Sequence, residues 1–187
     1  DGGANVRQIT RDGLHELFGE DEQRLGSVRF VNVFTRYDKD PAKRKVLEIP
    51  PELGIGRLPT RQTDLPAAED LIDGGRPPDF TESRGGVWHY EQTDPNRHVN
   101  SLAYLQVLQD YAVTQLFHAG APMESVWVQR ASLVFRKPCF RGEGYRRSLW
   151  QTGSSPQVLG AAIFKAGDPV GHPPAAATAL TLARHEA

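Results

Sequence analysis

The chain has 187 residues, of which 39% are apolar and 24% charged, and its 22 basic and 23 acidic side chains leave a formal net charge of -1. This balance is typical of a globular protein with its own core, and it favours neither a nucleic-acid binder nor a membrane-surface binder. The sequence contains no apolar run of bilayer-spanning length, and its first residues do not resemble a secretory signal. A single cysteine excludes an internal disulfide and a multi-cysteine metal site, so we expect a cytoplasmic protein.

The first part of the chain gives weak structural signals. We expect a loose start with a short helix around Asp12–Phe18, followed by a strand at Ser27–Tyr37 that is rich in Val and Phe. Residues 54–84 contain many Pro, Gly and Asp residues without sustained periodicity, which predicts a linker on the surface. We therefore divide the chain into an N-terminal segment, 1–84, and a domain, 85–187.

The pattern becomes clearer from Gly85 onward. Gly85–Gln92 is typical of a strand, and a polar turn, TDPNRHVN, follows it. We predict the main helix over Ser101–Ala119, with Asn100 or Ser101 as its cap and Gly120 as its end. Its expected apolar stripe contains Leu102, Leu105, Leu108, Ala112 and Leu116.

Four more strands are predicted after this helix. They are Trp127–Cys139, Tyr145–Thr152, Val158–Lys165 and Ala175–Ala183. A lone helix followed by consecutive strands predicts an α+β fold, in which an antiparallel meander packs one face against the helix.

The turn before the helix carries Asp94, Asn96 and His98 at alternate positions. One interpretation is local, because Asp, Pro and Asn are common turn formers and His98 would simply pack near the helix start. The other is catalytic. Asp94 would act as general base or nucleophile, Asn96 would hold the carboxylate or a water, and His98 would donate to a substrate carbonyl. Free N–H groups at the helix start would stabilise an oxyanion, so the turn has the functions that hydrolysis of an activated acyl group requires.

The same stretch, DPNRHVNSLAYL, resembles the D-x-N-x-H-V-N-N-x-x-Y motif of the plant and bacterial acyl-ACP thioesterases. A looser form occurs across the hotdog-fold thioesterases, including the 4-hydroxybenzoyl-CoA thioesterase type. Ser132–Cys139, SLVFRKPC, is similar to the family's T-L-E-Y-R-R-E-C strand, and RKVLEIPPEL resembles the R-R-x-x-x-I-P-x-E-V connection between its two hotdog halves. Three matches in the same order are more specific than one.

This resemblance implies a hotdog fold, which is a curved antiparallel sheet wrapped around one long central helix. It also implies hydrolysis of an acyl thioester on CoA or acyl carrier protein, with Asp94, Asn96 and His98 in the catalytic positions and with no metal or organic cofactor. The N-terminal segment would then be the tail of a partial first hotdog together with the linker.

Two departures from the family keep an alternative open. Pro138 stands where the acyl-ACP enzymes have a glutamate thought to help polarise water, which leaves Glu124 or Glu143 as substitutes. The N-terminal segment also holds too few strands for a complete hotdog. The alternative is a non-hydrolytic acyl-thioester-binding protein on the same fold. A dehydratase fits less well, because D-x-N-x-H resembles the hydrolase pattern.

Cys139 and Tyr104 are further candidates for the site. Cys139 is either a nucleophile partnered by His98 and Asn96 or a small buried side chain, and we favour the second because an adjacent proline does not lower a thiol pKa. Candidates for an acyl tunnel, or for plain core, are Leu102, Tyr104, Leu105, Leu108, Trp127 and Phe135. In the preceding strand one of His89 and Tyr90 faces the core, and it would either line the pocket or simply pack.

The sequence also predicts partners. Residues 130–147 are locally basic and form either a solvated strand edge or a dock for the phosphates of the acyl carrier, with Arg136, Lys137 and Arg141 as contacts. A single hotdog exposes a sheet edge, so we expect a homodimer.

Overall fold

The computed structural model describes residues 10–18, 20, 22–33, 51–53, 66–95, 97–121, 126–152, 157–169 and 171–184. The chain divides into two compact units, Asp1–Thr63 and Asp64–Ala187. Asn96, Glu124 and positions 34–37 of the expected first strand lie outside the described residues. None of the described helices combines the length and the apolarity that crossing a bilayer requires.

The first unit contains a β-hairpin. Strand β1 (Thr10–Phe18) pairs antiparallel with β2 (Arg24–Val33) along its whole length. The helix expected at Asp12–Phe18 is therefore wrong, because a continuous ladder with β2 outweighs a local helical preference that is weak. A 3-10 turn at Pro51–Leu53 is also described. The assignment of this unit as part of a first hotdog stays a prediction.

The second unit combines an antiparallel sheet with one long helix. Its elements are β3 (Phe80–Thr81), β4 (Gly86–Val87), α1 (Ser101–His118), β5 (Val126–Phe135), β6 (Gly144–Gln151), β7 (Gln157–Lys165) and β8 (Ala176–Arg184). The strand order is β3-β6-β7-β8-β5, and β4 also pairs with β6. The last three strands form the expected meander. Strand β5 does not join this meander at β6 but pairs with β8, at the edge of the sheet opposite β3. Helix α1 leads from β4, which pairs with β6, across the sheet to β5.

The strand expected at Gly85–Gln92 is much shorter than predicted. Only Gly86 and Val87 pair with β6, and a 3-10 turn at Tyr90–Gln92 follows. Side chains at Gly85 or Gly86 would collide with Tyr145, so glycine permits this close approach. The chain then turns because the Gln92 side chain accepts the His89 backbone N–H at 2.8 Å.

Helix α1 begins and ends where the sequence predicts. The Asn100 side chain caps it by accepting the Ala103 N–H at 2.8 Å, and Gly120 follows its end with a left-handed φ of 89°. The predicted stripe is wrong at Leu102, which is 75% exposed, because it lies on the outer face of the helix, next to exposed Gln106, while Ala103 and Tyr104 of the same turn are buried. The buried face consists of Ala103, Tyr104, Val107, Leu108, Tyr111, Ala112 and Leu116.

The core lies between this helix face and the concave side of the sheet. Large apolar side chains of β6, β7 and β8, such as Leu149, Ile163 and Leu180, are fully buried against it. Small residues between them, Ala161 and Ala176, are also fully buried and allow the helix to approach the sheet closely. This packing supplies most of the hydrophobic stabilisation of the helix, since isolated helices of this length are marginal.

Residues 66–84 belong to the second unit and are not the surface linker that the sequence predicts. Ala68 and Ile72 are buried against Trp150, Ala162 and Ala177 in a second apolar cluster. Any side chain at Gly160 would meet the Ile72 backbone at 2.9 Å, so the segment packs directly on β7. The structure therefore buries β7 and β8 on both faces, which explains their high content of alanine.

We expect Asn100→Ala to lower the free energy of unfolding by about 1 kcal/mol, because the Ala103 N–H loses its side-chain acceptor. Urea unfolding followed by circular dichroism would measure the change. Ser101→Ala, at the exposed first position of the helix, is the matched control and should change stability by less than about 0.5 kcal/mol. Equal stability of the two variants would contradict the capping role.

Candidate functional site

The loop that carries Asp94 and His98 is closed by hydrogen bonds between these two residues. The Asp94 N–H donates to the His98 carbonyl at 2.8 Å, and Oδ1 of the Asp94 carboxylate accepts the His98 N–H at 3.0 Å. Arg97 has a left-handed φ of 66°, and its N–H donates to the Asp94 carbonyl. The local interpretation of Asp94 as a turn former is thus present in the structure. The turn engages Oδ1 of the Asp94 carboxylate, and the Asp94 side chain is half-buried.

The end of this loop is fixed to the start of α1. The backbone N–H and the side-chain amide of Asn100 both donate to the Gln92 carbonyl, at 2.9 and 3.1 Å. An antiparallel bridge joins Thr93 to Val99 at the base of the loop. Asp94 and His98 therefore lie beside the helix N-terminus, where the helix dipole favours negative charge.

His98 packs against the segment that follows β5. It forms an antiparallel bridge with Phe140, and the two rings meet edge to face with centroids 4.9 Å apart. The Val99 N–H donates to the Cys139 carbonyl at 2.9 Å. Two of the three segments that resemble the acyl-ACP thioesterases are therefore direct neighbours in space.

Cys139 and Tyr104 form a buried contact behind this bridge. Both are almost fully buried, and the Cys139 N–H donates to the Tyr104 hydroxyl at 2.7 Å. Burial raises the pKa of the Cys139 thiol against the opposing effect of its hydrogen bond to Tyr104, and burial also raises the pKa of Tyr104. A buried thiol with a raised pKa has the environment of a packing side chain, not that of a nucleophile.

Glu143 lies on the turn that positions Phe140. Its carboxylate accepts the Phe140 N–H at 3.0 Å and pairs with Lys165 at 2.9 Å, and the Lys165 ammonium lies 5.4 Å from the centroid of the Phe140 ring. Pro138 itself is exposed. The sequence analysis names Glu143 as a possible substitute acid, but no pattern in the sequence predicts where its side chain lies. Within the described residues, no three His, Cys, Asp or Glu side chains gather as metal ligands would.

The three predicted carrier contacts fall into two groups. Arg136 donates to the carbonyls of Pro174 and Pro173, at 2.9 and 2.8 Å, and Lys137 contacts His172 at 3.3 Å. These two cations hold the segment before β8. Arg141 instead lies on the Phe140–Glu143 turn, where its guanidinium carbon is 5.3 Å from the centroid of the Tyr90 ring. Only Arg141 is therefore adjacent to a residue that contacts His98.

The predicted tunnel residues do not form one lining. Leu108 is fully buried in the core, whereas Leu102 is exposed and Trp127 and Phe135 are about half exposed. Phe135 meets Tyr104 edge to face with centroids 5.2 Å apart. Some of these side chains therefore lie in the core and others at the surface, so together they do not line one tunnel.

A cavity of about 570 Å³ lies elsewhere, between β3 and the second half of α1. It contains the Glu82–Arg147 ion pair, and the Arg147 guanidinium lies 4.7 Å from the centroid of the Tyr111 ring. Tyr111 is about 15 Å along the helix axis from its first residue, so the cavity is separate from the Asp94 loop. The sequence held no signal for it, because Glu82 lies in the segment interpreted as a linker.

Comparison of the sequence with protein-family models and with curated proteins finds no match. Solved structures do match. An acyl-ACP thioesterase from Bacteroides thetaiotaomicron matches over 95% of this chain and 65% of its own, with a TM-score of 0.57 and 14% identity. A Thermus thermophilus thioesterase in complex with coenzyme A and zinc matches over 59% and 86%, with a TM-score of 0.52 and 14% identity. A Staphylococcus aureus protein in complex with CoA matches over 56% and 68%, with a TM-score of 0.50 and 12% identity.

The second unit thus has the hotdog fold, as the sequence predicts, with one long helix against a curved antiparallel sheet. Its neighbours in fold include thioesterases, one of them an acyl-ACP thioesterase, so the resemblance stated from the motifs is confirmed at the level of fold. Identities of 12–14% establish the fold only, and the activity has to be argued from the site.

We expect the Cys139 thiol to react slowly with a colorimetric disulfide reagent in the folded protein. Burial blocks access, and the raised pKa leaves less thiolate at pH 8 than a free cysteine has, so the rate should increase as pH rises above 8. In denaturant the reagent should report one reactive thiol per chain, which serves as the internal control. Reaction of the folded protein at the rate of free cysteine would contradict the packing role.

Proposed function

We propose that the chain is an acyl-thioester hydrolase whose catalytic site is the Asp94–His98 loop at the start of α1. The observation that carries this proposal is the direct packing of that loop on the Cys139–Phe140 segment, on a hotdog fold. Motifs that are distant in the sequence, and that both resemble the acyl-ACP thioesterases, are neighbours beside a helix N-terminus. If Asp94 and His98 only formed a turn, nothing would require their loop to lie against the Cys139 segment.

In the proposed mechanism the thioester carbonyl lies near the first turn of α1, where backbone N–H groups and the helix dipole stabilise the developing oxyanion. Asp94 accepts a proton from the attacking water, or attacks the carbonyl carbon itself, and His98 donates a hydrogen bond to the carbonyl oxygen. The carbon–sulfur bond then breaks, and the carrier leaves as its thiol with the proton that Asp94 took from the water. If Asp94 attacks instead, an acyl–Asp94 anhydride forms as the thiolate leaves, and a water then hydrolyses the anhydride to the free acid and supplies the proton of the thiol. Asn96 is proposed to orient the carboxylate or the water.

The substrate in this proposal is an acyl group carried by CoA or by acyl carrier protein. Two fold neighbours were solved with coenzyme A, and another is an acyl-ACP thioesterase, so the comparisons support both carriers. Arg141 supports a phosphate-bearing carrier, because it is exposed beside the segment that contacts His98. Arg136 and Lys137 support it less, since their donors already hold the segment before β8. A cytoplasmic location remains part of the proposal.

One specific observation favours the alternative of a non-hydrolytic acyl-thioester-binding protein. The Asp94 carboxylate is already engaged by the His98 N–H, and exposed Pro138 has no acid to offer. In that case the loop would be a rigid binding element and not a hydrolytic one. Turnover measurements separate the two functions directly.

We expect Asp94→Asn to lower thioester hydrolysis by about 100- to 10,000-fold. The amide oxygen of asparagine can still accept the His98 N–H, so the loop should keep its shape while the base is lost. Release of thiol from a panel of acyl-CoA and acyl-ACP substrates would measure the rate, with Asp110→Asn as a control on the exposed face of α1. Full activity of Asp94→Asn would contradict the mechanism, and a folded wild-type protein without turnover would favour the binding protein.

We also expect a homodimer in solution. Among the described strands, β5 pairs with β8 alone, so it forms a sheet edge of ten residues, and the large apolar side chains Trp127 and Phe135 on it are about half exposed. Size-exclusion chromatography with light scattering should give twice the mass of one chain at micromolar concentration. Monomeric protein under these conditions would exclude the dimer.

A further inference from the structure

An exposed aromatic side chain and an exposed arginine form a cation–π pair beside the proposed site. The Tyr90 ring is 73% exposed, and the guanidinium carbon of Arg141 lies 5.3 Å from its centroid. They come from different parts of the chain, Tyr90 from the 3-10 turn before the motif loop and Arg141 from the turn after β5. We refer to them as the Tyr90–Arg141 platform. Its surface combines an aromatic face with a planar cation.

Both halves of the platform are connected to the motif loop. The Thr93 backbone N–H and hydroxyl donate to the Tyr90 carbonyl at 3.1 and 2.7 Å, which fixes the Tyr90 turn to the base of the loop. Arg141 directly follows Phe140, whose ring contacts His98. Asp94 follows Tyr90 by four positions, so their Cα atoms are at most about 14 Å apart. A long, linear ligand could therefore contact the platform and the loop together.

A phosphate at the platform would meet an exposed guanidinium. Arg141 is exposed on its turn, and Arg97 is exposed on the motif loop. The acidic neighbours are Glu91, Asp94 and Glu143, of which Glu143 is paired with Lys165. The side-chain charges therefore balance, and the groups that favour an anion are the exposed guanidinium of Arg141 and the positive end of the α1 dipole.

We propose that the Tyr90–Arg141 platform binds the nucleotide part of coenzyme A, with the purine ring stacked on Tyr90 and a phosphate paired with Arg141. This inference rests on the proposed function and selects one of its two carriers. Aromatic side chains stack on nucleic-acid bases regardless of sequence, and arginine is well suited to phosphate. The phosphopantetheine arm of acyl carrier protein also bears a phosphate, but it has no base, and it would leave the exposed Tyr90 ring unused.

Equilibrium binding of free coenzyme A, measured by isothermal titration calorimetry, tests the platform without any need for turnover. We expect Tyr90→Ala and Arg141→Ala each to weaken binding by about tenfold, while Tyr90→Phe keeps the ring and binds like wild type. Phe117→Ala is the matched control, since Phe117 is a 56% exposed aromatic side chain near the other end of α1. Pantetheine, which lacks the nucleotide, should bind all these proteins equally. Thermal unfolding should be unchanged, because both platform side chains are exposed.

Kinetics on matched substrates provide a second arm. The platform variants should raise KM for an acyl-CoA and leave KM unchanged for the same acyl group on N-acetylcysteamine or on acyl carrier protein. Asp94→Asn should lower turnover by about 100- to 10,000-fold and still bind coenzyme A, so failure of the hydrolase and failure of the platform are distinguishable. Unchanged coenzyme A affinity in Tyr90→Ala and Arg141→Ala would overturn the proposal. The proposal would also be overturned if only Arg136→Ala weakened coenzyme A binding. It would likewise be overturned if the platform variants raised KM equally for acyl-CoA and for the acyl carrier protein substrate.

Discussion

Three parts of the second unit meet at Cys139, and its two backbone hydrogen bonds join the motif loop, helix α1 and the segment after β5. The Cys139 N–H donates to the Tyr104 hydroxyl on α1, and its carbonyl accepts the N–H of Val99 at the end of the motif loop. All three residues are buried, so loss of either bond would leave a polar group without a partner away from water, at a cost of about 1–3 kcal/mol. This junction fixes the loop relative to the helix and thereby sets the position of His98 against Phe140.

Charged side chains near the two ends of α1 differ in character. Near the N-terminal end, Arg97 and Arg141 are exposed close to the positive end of the helix dipole, with Glu91 and Asp94 as acidic neighbours. The cavity near the other end contains Asp79, Glu82 and Asp110 with Arg147 as its one cation, so among the described residues its lining is acidic. In the proposed function, the phosphates of the carrier would bind at the end of the helix where the Asp94 loop and the exposed Arg141 lie, and not at the acidic cavity.

The features that depend on local sequence could be predicted well. The helix at Ser101–His118 has a side-chain cap, a terminating glycine and a helical apolar period, and each of these acts over a few residues. The strands after it follow the same logic, since turns rich in Gly and Pro separate them. The motif before the helix could also be located, because both its turn-forming and its chemical character follow from the side chains of Asp94 and His98.

The sequence by itself determined helix α1, the four strands after it, their order along the chain and the place of the motif, because these depend on short-range preferences. The tertiary structure decided which elements pair. It made Asp12–Phe18 a strand through its ladder with β2, placed β5 beside β8, and packed Ala68–Ile72 on the sheet face opposite the helix, while Phe80–Thr81 joined the sheet as β3. It also joined Arg141 to Tyr90 and Glu143 to Phe140. These contacts link residues that are distant along the chain or depend on a turn conformation, and no local pattern in the sequence records them.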